Sequence, residues 1–89
     1  MSATHVSIYG EVQGVGFRAW ANSQASKDNL SGWVRKASDG SIEVFIQGEE
    51  EGISNFLSYC WDGPEMAFVD DVLTHEGSTD LPIAGFRVI

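Results

Sequence analysis

Eighty-nine residues are enough for one hydrophobic core, so the chain is expected to form one domain over residues 1–89. The hydrophobic fraction of 43%, with three Trp, five Phe and two Tyr, makes a packed interior feasible, while the single cysteine, Cys60, excludes an internal disulfide and leaves no cysteine–histidine cluster for zinc. Thirteen acidic residues against five basic ones give a formal net charge of −8, which argues against nucleic acid as a partner and requires any anion site to be local.

No apolar stretch approaches the ~18 residues of a membrane span, and Met1 to His5 carries neither a basic flank nor an apolar signal core. With one free thiol, these features fit a cytoplasmic protein without a membrane partner.

The first predicted strand runs from His5 to Gly10, with Val6 and Ile8 alternating against His5, Ser7 and Tyr9. His5, close to the chain start, is expected to be exposed. A glycine-rich loop follows, Gly10-Glu11-Val12-Gln13-Gly14-Val15-Gly16. Phe17 to Asp28 reads as a helix, with Phe17, Ala21 and Ala25 at helical spacing and Asn29 as a left-handed stop. Leu30 to Arg35 is a second strand, and Ser38-Asp39-Gly40-Ser41 a hairpin turn, because Asp-Gly tolerates the positive φ of tight hairpins. Ser41 to Gln47 is the third strand.

Glu49, Glu50 and Glu51 suit the positive end of a second helix. Ile53, Phe56, Leu57, Cys60 and Trp61 then form an amphipathic stripe, and Gly63-Pro64 stops it. Ala67 to His75 is a fourth strand whose alternation slips at Asp70-Asp71, the mark of a bulge. Glu76 to Pro82 reads as a polar loop. Gly85 to Ile89 is a short closing strand with Phe86 and Val88 facing the core. The resulting βαββαβ order favours an α+β ferredoxin-like sandwich, an antiparallel sheet with two helices on one face. Trp33 and Phe45 fall on or near the other face, where they either contact a substrate or simply pack.

The loop from Gly10 to Arg18 holds the chemistry. Glycines let successive backbone N–H groups turn into one concavity, a helix N-terminus directly after it favours negative charge, and a guanidinium in the first turn can grip two oxygens of a phosphate. On spacing alone the alternative stands equally: a tight β-to-α connection with Arg18 as a solvated surface residue. Glu11, in the same loop, reads as a solvated carboxylate, Cys60 as a buried core thiol, and Asp70, Asp71, His75 and Glu76 as edge charges rather than metal ligands.

The string Gly-x-Val-Gln-Gly-Val-Gly-Phe-Arg at Gly10 to Arg18 resembles the first signature of the acylphosphatase family in full. Gly32-Trp33-Val34-Arg35, Asp39-Gly40-Ser41-Ile42-Glu43-Val44 and Gly48 are similar to its second. Gly63-Pro64 through Val72, and Phe86-Arg87-Val88, resemble its later strands. The resemblance implies a monomeric hydrolase that splits small acyl phosphates into carboxylate and inorganic phosphate, with no metal and no cofactor. It implies that the backbone of Gln13, Gly14, Val15, Gly16 and Phe17 holds the phosphoryl oxygens and that Arg18 is the catalytic arginine. The family's water-orienting asparagine should follow Arg35, where this chain has Lys36. An amide oxygen can accept a proton from water and leave its lone pair free for phosphorus; a lysine ammonium has only donors. The expectation is weakened or abolished turnover, and the rival reading is a phosphate-binding module of the same fold without turnover. RNA-recognition motifs share this element order, but here the third strand offers only Phe45, beside acidic Glu43.

Overall fold

The computed structural model describes residues 1–78 and 83–89. Its elements are β1 (Ser2–Glu11), α1 (Phe17–Lys27), β2 (Ser31–Lys36), β3 (Ile42–Gly48), α2 (Glu50–Cys60), β4 (Phe68–Glu76) and β5 (Phe86–Val88). The strands form one sheet in the order β4-β1-β3-β2-β5. This is the expected ferredoxin-like α+β arrangement, extended by one edge strand.

Alternation decides the layers. Val6 and Ile8 of β1, Val34 of β2, and Ile42, Val44 and Ile46 of β3 all point to one face and are buried there with Phe17, Ala21 and Ala25 of α1 and Ile53, Phe56 and Cys60 of α2. The alanines let α1 lie close to the sheet. Trp20 joins the two helices, its ring 5.2 Å from Phe17 and 6.3 Å from Phe56. Asn29, at φ 56°, ends α1 in the left-handed conformation that its sequence position predicts.

Four sequence expectations are corrected. First, β1 starts at Ser2, because it pairs on both sides, with β3 from Ser2↔Gly48 and with β4 from Thr4↔Glu76. His5 is therefore not an exposed residue of a loose end but a half-buried member of a central strand.

Second, the sheet is not wholly antiparallel: β2 and β5 run parallel. β4 runs opposite to β1, so one reversal after it gives β5 the direction of β2, and the chain crosses to the far edge to pair there. The crossing is tied to the sheet by Gly77 N–H donating to Ala3 O, Gln47 Nε2 to Ser78 O, Ile83 N–H to Gln47 Oε1 and Gly32 N–H to Gly85 O. Residues 79–82 of the predicted polar loop lie outside the described residues.

Third, Trp61 is 52% exposed. Eight residues beyond Ile53 at about 100° each puts it roughly 80° around the axis, off the apolar stripe and past the last helical residue. Fourth, Val88 shares a face with Val34 but lies at the sheet edge and is exposed, while Phe86 packs on the core.

The bulge expected at Asp70-Asp71 is present. Tyr9 pairs with Asp71 and Gly10 with Val69, so Asp70 is the extra residue. Gly10 faces it with φ 132°, and a side chain there would collide with the carbonyl of Phe68. Its glycine serves close approach: β4 is pressed against the point where β1 leaves the sheet.

Candidate functional site

Between β1 and α1 the chain turns through residues 12–16, held at each end by a buried apolar side chain, Val12 and Phe17. Gly14 (φ 76°) and Gly16 (φ 79°) have open space where a Cβ would stand. Their glycines therefore serve conformation rather than room, since L side chains are strained at such φ values. Gly16 is also the N-cap of α1 and supplies no side-chain cap, so the first-turn amides keep their unmet hydrogen-bonding capacity. Among the described residues, no hydrogen bond is donated by the backbone N–H groups of residues 13–17. Arg18, in the first turn, is half-buried and has no carboxylate partner among the described residues. A concave run of free amides beside an unpaired guanidinium suits a tetrahedral anion.

The loop is also tethered from outside. Both amide hydrogens of Gln13 are used: Nε2 donates to Ala37 O and to Ser41 O, each at 3.0 Å. These carbonyls flank the β2–β3 turn, which Ala37 N–H closes by donating to Ser41 O at 2.9 Å. Asp39 Oδ1 accepts from the Ser41 hydroxyl (2.6 Å) and the Ser41 N–H (3.0 Å), and those two bonds hold its carboxyl below the ordinary carboxylate range. Lys36, exposed at the end of β2, directly precedes Ala37. The Gln13 side chain thus fixes the loop against the residue next to Lys36. In the sequence, Gln13 has a role only through its backbone. Nothing in residue types could reveal the tether, because both acceptors are main-chain carbonyls.

Other flagged residues lie elsewhere. Trp33 and Phe45 stack at 6.1 Å on the face opposite the helices, with the His5 ring 5.6 Å from Trp33. His5 precedes the end of β1 by six residues, roughly 20 Å of strand from the loop, and the three rings pack on one another on that face. Glu11 is exposed at the end of β1. Cys60 is fully buried; burial, helped by the negative charge of Asp28, pushes its thiol up to about 12.

A profile of the Acylphosphatase family matches residues 4–88. The chain belongs to the acylphosphatase family. An acylphosphatase of Alcanivorax borkumensis is 44% identical over 80 residues, covering 90% of this chain and 87% of that protein. One of Rhizobium meliloti is 44% identical over 86 residues, covering 97% and 90%. In three dimensions the fold is similar to the crystal structure of acylphosphatase from Bacillus subtilis, with a TM-score of 0.96 at 29% identity, covering 100% of this chain and 99% of that one. Acylphosphatases are hydrolases, and the chain is an enzyme of that class. No helix among the described residues is long and apolar enough to cross a membrane.

Proposed function

We propose that this acylphosphatase domain, spanning residues 1–89, binds the phosphoryl group of small acyl phosphates in the loop Gln13 to Phe17 with Arg18, and hydrolyses them slowly because Lys36 stands at the water-orienting position. Water attacks phosphorus in line, the P–O bond to the acyl group breaks, and the carboxylate leaves with the bonding pair. The water's proton passes to a phosphoryl oxygen, so no protein base is needed. Acyl phosphates are activated, and positioning with charge neutralisation is most of what phosphoryl transfer asks of a protein. The observation that carries the reading is Arg18, half-buried and unpaired beside amides that no protein group uses among the described residues. The protein acts as a cytoplasmic monomer, without nucleic acid or membrane as partner.

Lys36 favours a second reading, a module that binds phosphate without turning over acyl phosphates. An ammonium occupies the water lone pair that phosphorus needs. Steady-state hydrolysis of acetyl phosphate by the wild type and by Lys36→Asn separates the two readings from each other and from failure. A slow wild type that gains about 100-fold on substitution supports the hydrolase with a handicapped water. No hydrolysis by either protein, with inorganic phosphate still bound, selects the binding module. Equal brisk rates in both remove Lys36 from the mechanism.

A further inference from the structure

β4 is an edge strand: β1 pairs with one side of it, and among the described residues no strand pairs with the other. Which of its backbone groups face outward follows from one bond. Gly77 N–H donates to Ala3 O at 3.0 Å, at the position that continues the β1–β4 register beyond Thr4↔Glu76. Antiparallel pairs alternate between bonded and non-bonded, so Leu73 and His75 turn their N–H and C=O groups to β1, and Val72, Thr74 and Glu76 turn theirs away from the sheet. The Val72 N–H agrees, since it donates to Asp71 Oδ1 of the side chain at 2.9 Å. That carboxylate and the bulge at Asp70 shield the first half of the edge, as charges and bulges do at natural sheet edges. The second half, residues 72–76, contains no proline and no lysine, and Leu73 there is 44% exposed. Among the described residues, no protein group bonds the amides of Thr74 and Glu76.

The charge around this edge has one sign. Residues 49–76 carry eight carboxylates and no lysine or arginine, while the five basic residues all lie on α1, β2 and β5. Between β4 and α2 is a hollow of about 370 Å³, lined in part by Thr74 and Glu76 from the strand and by Glu50, Ile53 and Leu57 from the helix. Ile53 and Leu57 give it an apolar floor. Glu76 and Glu50 give it two carboxylates, of which Glu50 accepts one bond from the Ser2 hydroxyl at 3.3 Å.

We propose that the outer edge of β4 takes a basic extended segment of a partner protein as a sixth strand, antiparallel to β4, with lysine or arginine at alternate positions. Strand addition satisfies the free backbone groups, and the side chains choose the partner. In antiparallel pairing, the residues bonded to Thr74 and Glu76 carry their side chains on the α2 side, over the hollow. A lysine or arginine stem there lies along Ile53 and Leu57 while its charge meets Glu50 and Glu76. The intervening residues fall beside Leu73 on the other face and suit a branched apolar side chain. A second copy of the chain fits poorly: it brings a charge of −8, and its own edges are the same acidic β4 or the three-residue β5. Residues 72–76 pair with residues 4–8 of β1, so a strand docked there leaves the anion loop after Glu11 uncovered.

The test uses a capped heptapeptide alternating valine and lysine, the same peptide N-methylated at its lysines, and its counterpart with glutamate for lysine. Affinities are measured by fluorescence anisotropy, and the contact is located from backbone amide shifts in NMR spectra. The expected result is that the lysine peptide binds and shifts the amides of residues 72–76 while those of residues 13–18 stay in place. N-methylation, which removes the peptide donors facing β4, should weaken binding by about ten-fold or more, the scale of two lost hydrogen bonds, and the glutamate peptide should not bind. Glu50→Gln/Glu76→Gln, exposed substitutions that keep the backbone, should weaken the lysine peptide by about five-fold and flatten its salt dependence. Equal binding of the parent and methylated peptides would mean general adhesion to the acidic half and overturns the added strand. Absence of binding, or shifts confined to residues outside 72–76, overturns it too. Self-association of the protein alone that shifts the same amides would give the edge to a second copy instead of a basic partner.

Discussion

Arg18 and Arg35 are the same residue in opposite settings. On the open face of the sheet the guanidinium of Arg35 is answered twice within the protein: its Nε donates to Glu43 Oε1, and the group lies 5.8 Å from the centre of the Trp33 ring. The other oxygen of Glu43 is 3.3 Å from His5 Nε2, so ring, cation and carboxylate close on one another. At the end of the sheet Arg18 is half-buried, faces no carboxylate among the described residues, and adjoins a run of unused amides. A charge satisfied inside the fold is part of the fold, whereas one without a counter-charge stays available to an anion from outside. The strongest way to break this contrast is to remove each charge in turn. Arg18→Gln is expected to lower kcat/KM for acetyl phosphate by roughly 10³-fold, the scale of a lost donor to developing oxyanion charge, with unchanged circular dichroism. Arg35→Gln should stay within about two-fold of the wild type. Comparable losses in both would make the distinction worthless.

How much of this contrast is legible in the sequence depends on which atoms make it. The glycines, Arg18 and Lys36 are residue types in a fixed order, and alternation at Val6, Ile8, Val44 and Ile46 shows which face each strand buries. The element order follows from those patterns. What stays hidden is carried by main-chain atoms or by long-range placement. The Gln13 tether ends on the carbonyls of Ala37 and Ser41. The parallel β2–β5 pair depends on which edge the chain crosses to. The exposure of Phe68 depends on its being at the rim of an edge strand, where alternation no longer predicts burial.

A second way to test the contrast is to ask whether the core hides another reactive group. Cys60 ionises with a pKa raised from 9.0 to about 12, so the folded state holds its proton where the unfolded chain releases it. Its contribution is complete below pH 9 and is lost as pH rises from the unfolded pKa through the folded one. The slope is about 1.4 kcal/mol per pH unit, up to about 4 kcal/mol across the interval. Denaturant unfolding of the wild type and Cys60→Ala from pH 8 to 11 measures this, since the other alkaline groups are common to both proteins. The wild type should lose stability faster above pH 9. Parallel curves, or rapid thiol labelling of the native protein at pH 8, would mean that the thiol is accessible and that the site is not the only chemistry the fold retains.

Gln13 sharpens the contrast from inside the site. Its side-chain amide donates to two main-chain carbonyls of the neighbouring turn, so its work is to hold the loop on the hairpin. Gln13→Ala removes two hydrogen bonds and is expected to cost about 1–2 kcal/mol of stability. The distinguishing readout is a KM for acetyl phosphate raised by about ten-fold, with a smaller fall in kcat, because the loosened loop must be ordered by the phosphoryl group itself. A stability loss with KM unchanged would reduce Gln13 to ordinary turn packing.

The smallest expected effect belongs to Glu43, and it tests the answered side of the comparison. Glu43→Gln keeps a hydrogen-bond acceptor for Arg35 but removes the charge that meets both Arg35 and His5. Since the Arg35 side chain is 52% exposed, solvent screens the pair, and the loss in stability should stay within about 1 kcal/mol. At ~1 M salt, where the Debye length is about 3 Å, the difference between wild type and variant should shrink further. Turnover of acetyl phosphate should not change, because the Glu43 carboxylate bonds Arg35 and His5 and makes no hydrogen bond or ion pair to residues 13–18. Thermal unfolding at low and high salt, with the assay alongside, supplies both readings. A salt-insensitive loss above about 2 kcal/mol would mean that Glu43 is a buried charge on which the sheet depends. A fall in turnover would mean that the open face and the anion loop are coupled, and the two arginines would then belong to one electrostatic unit rather than two.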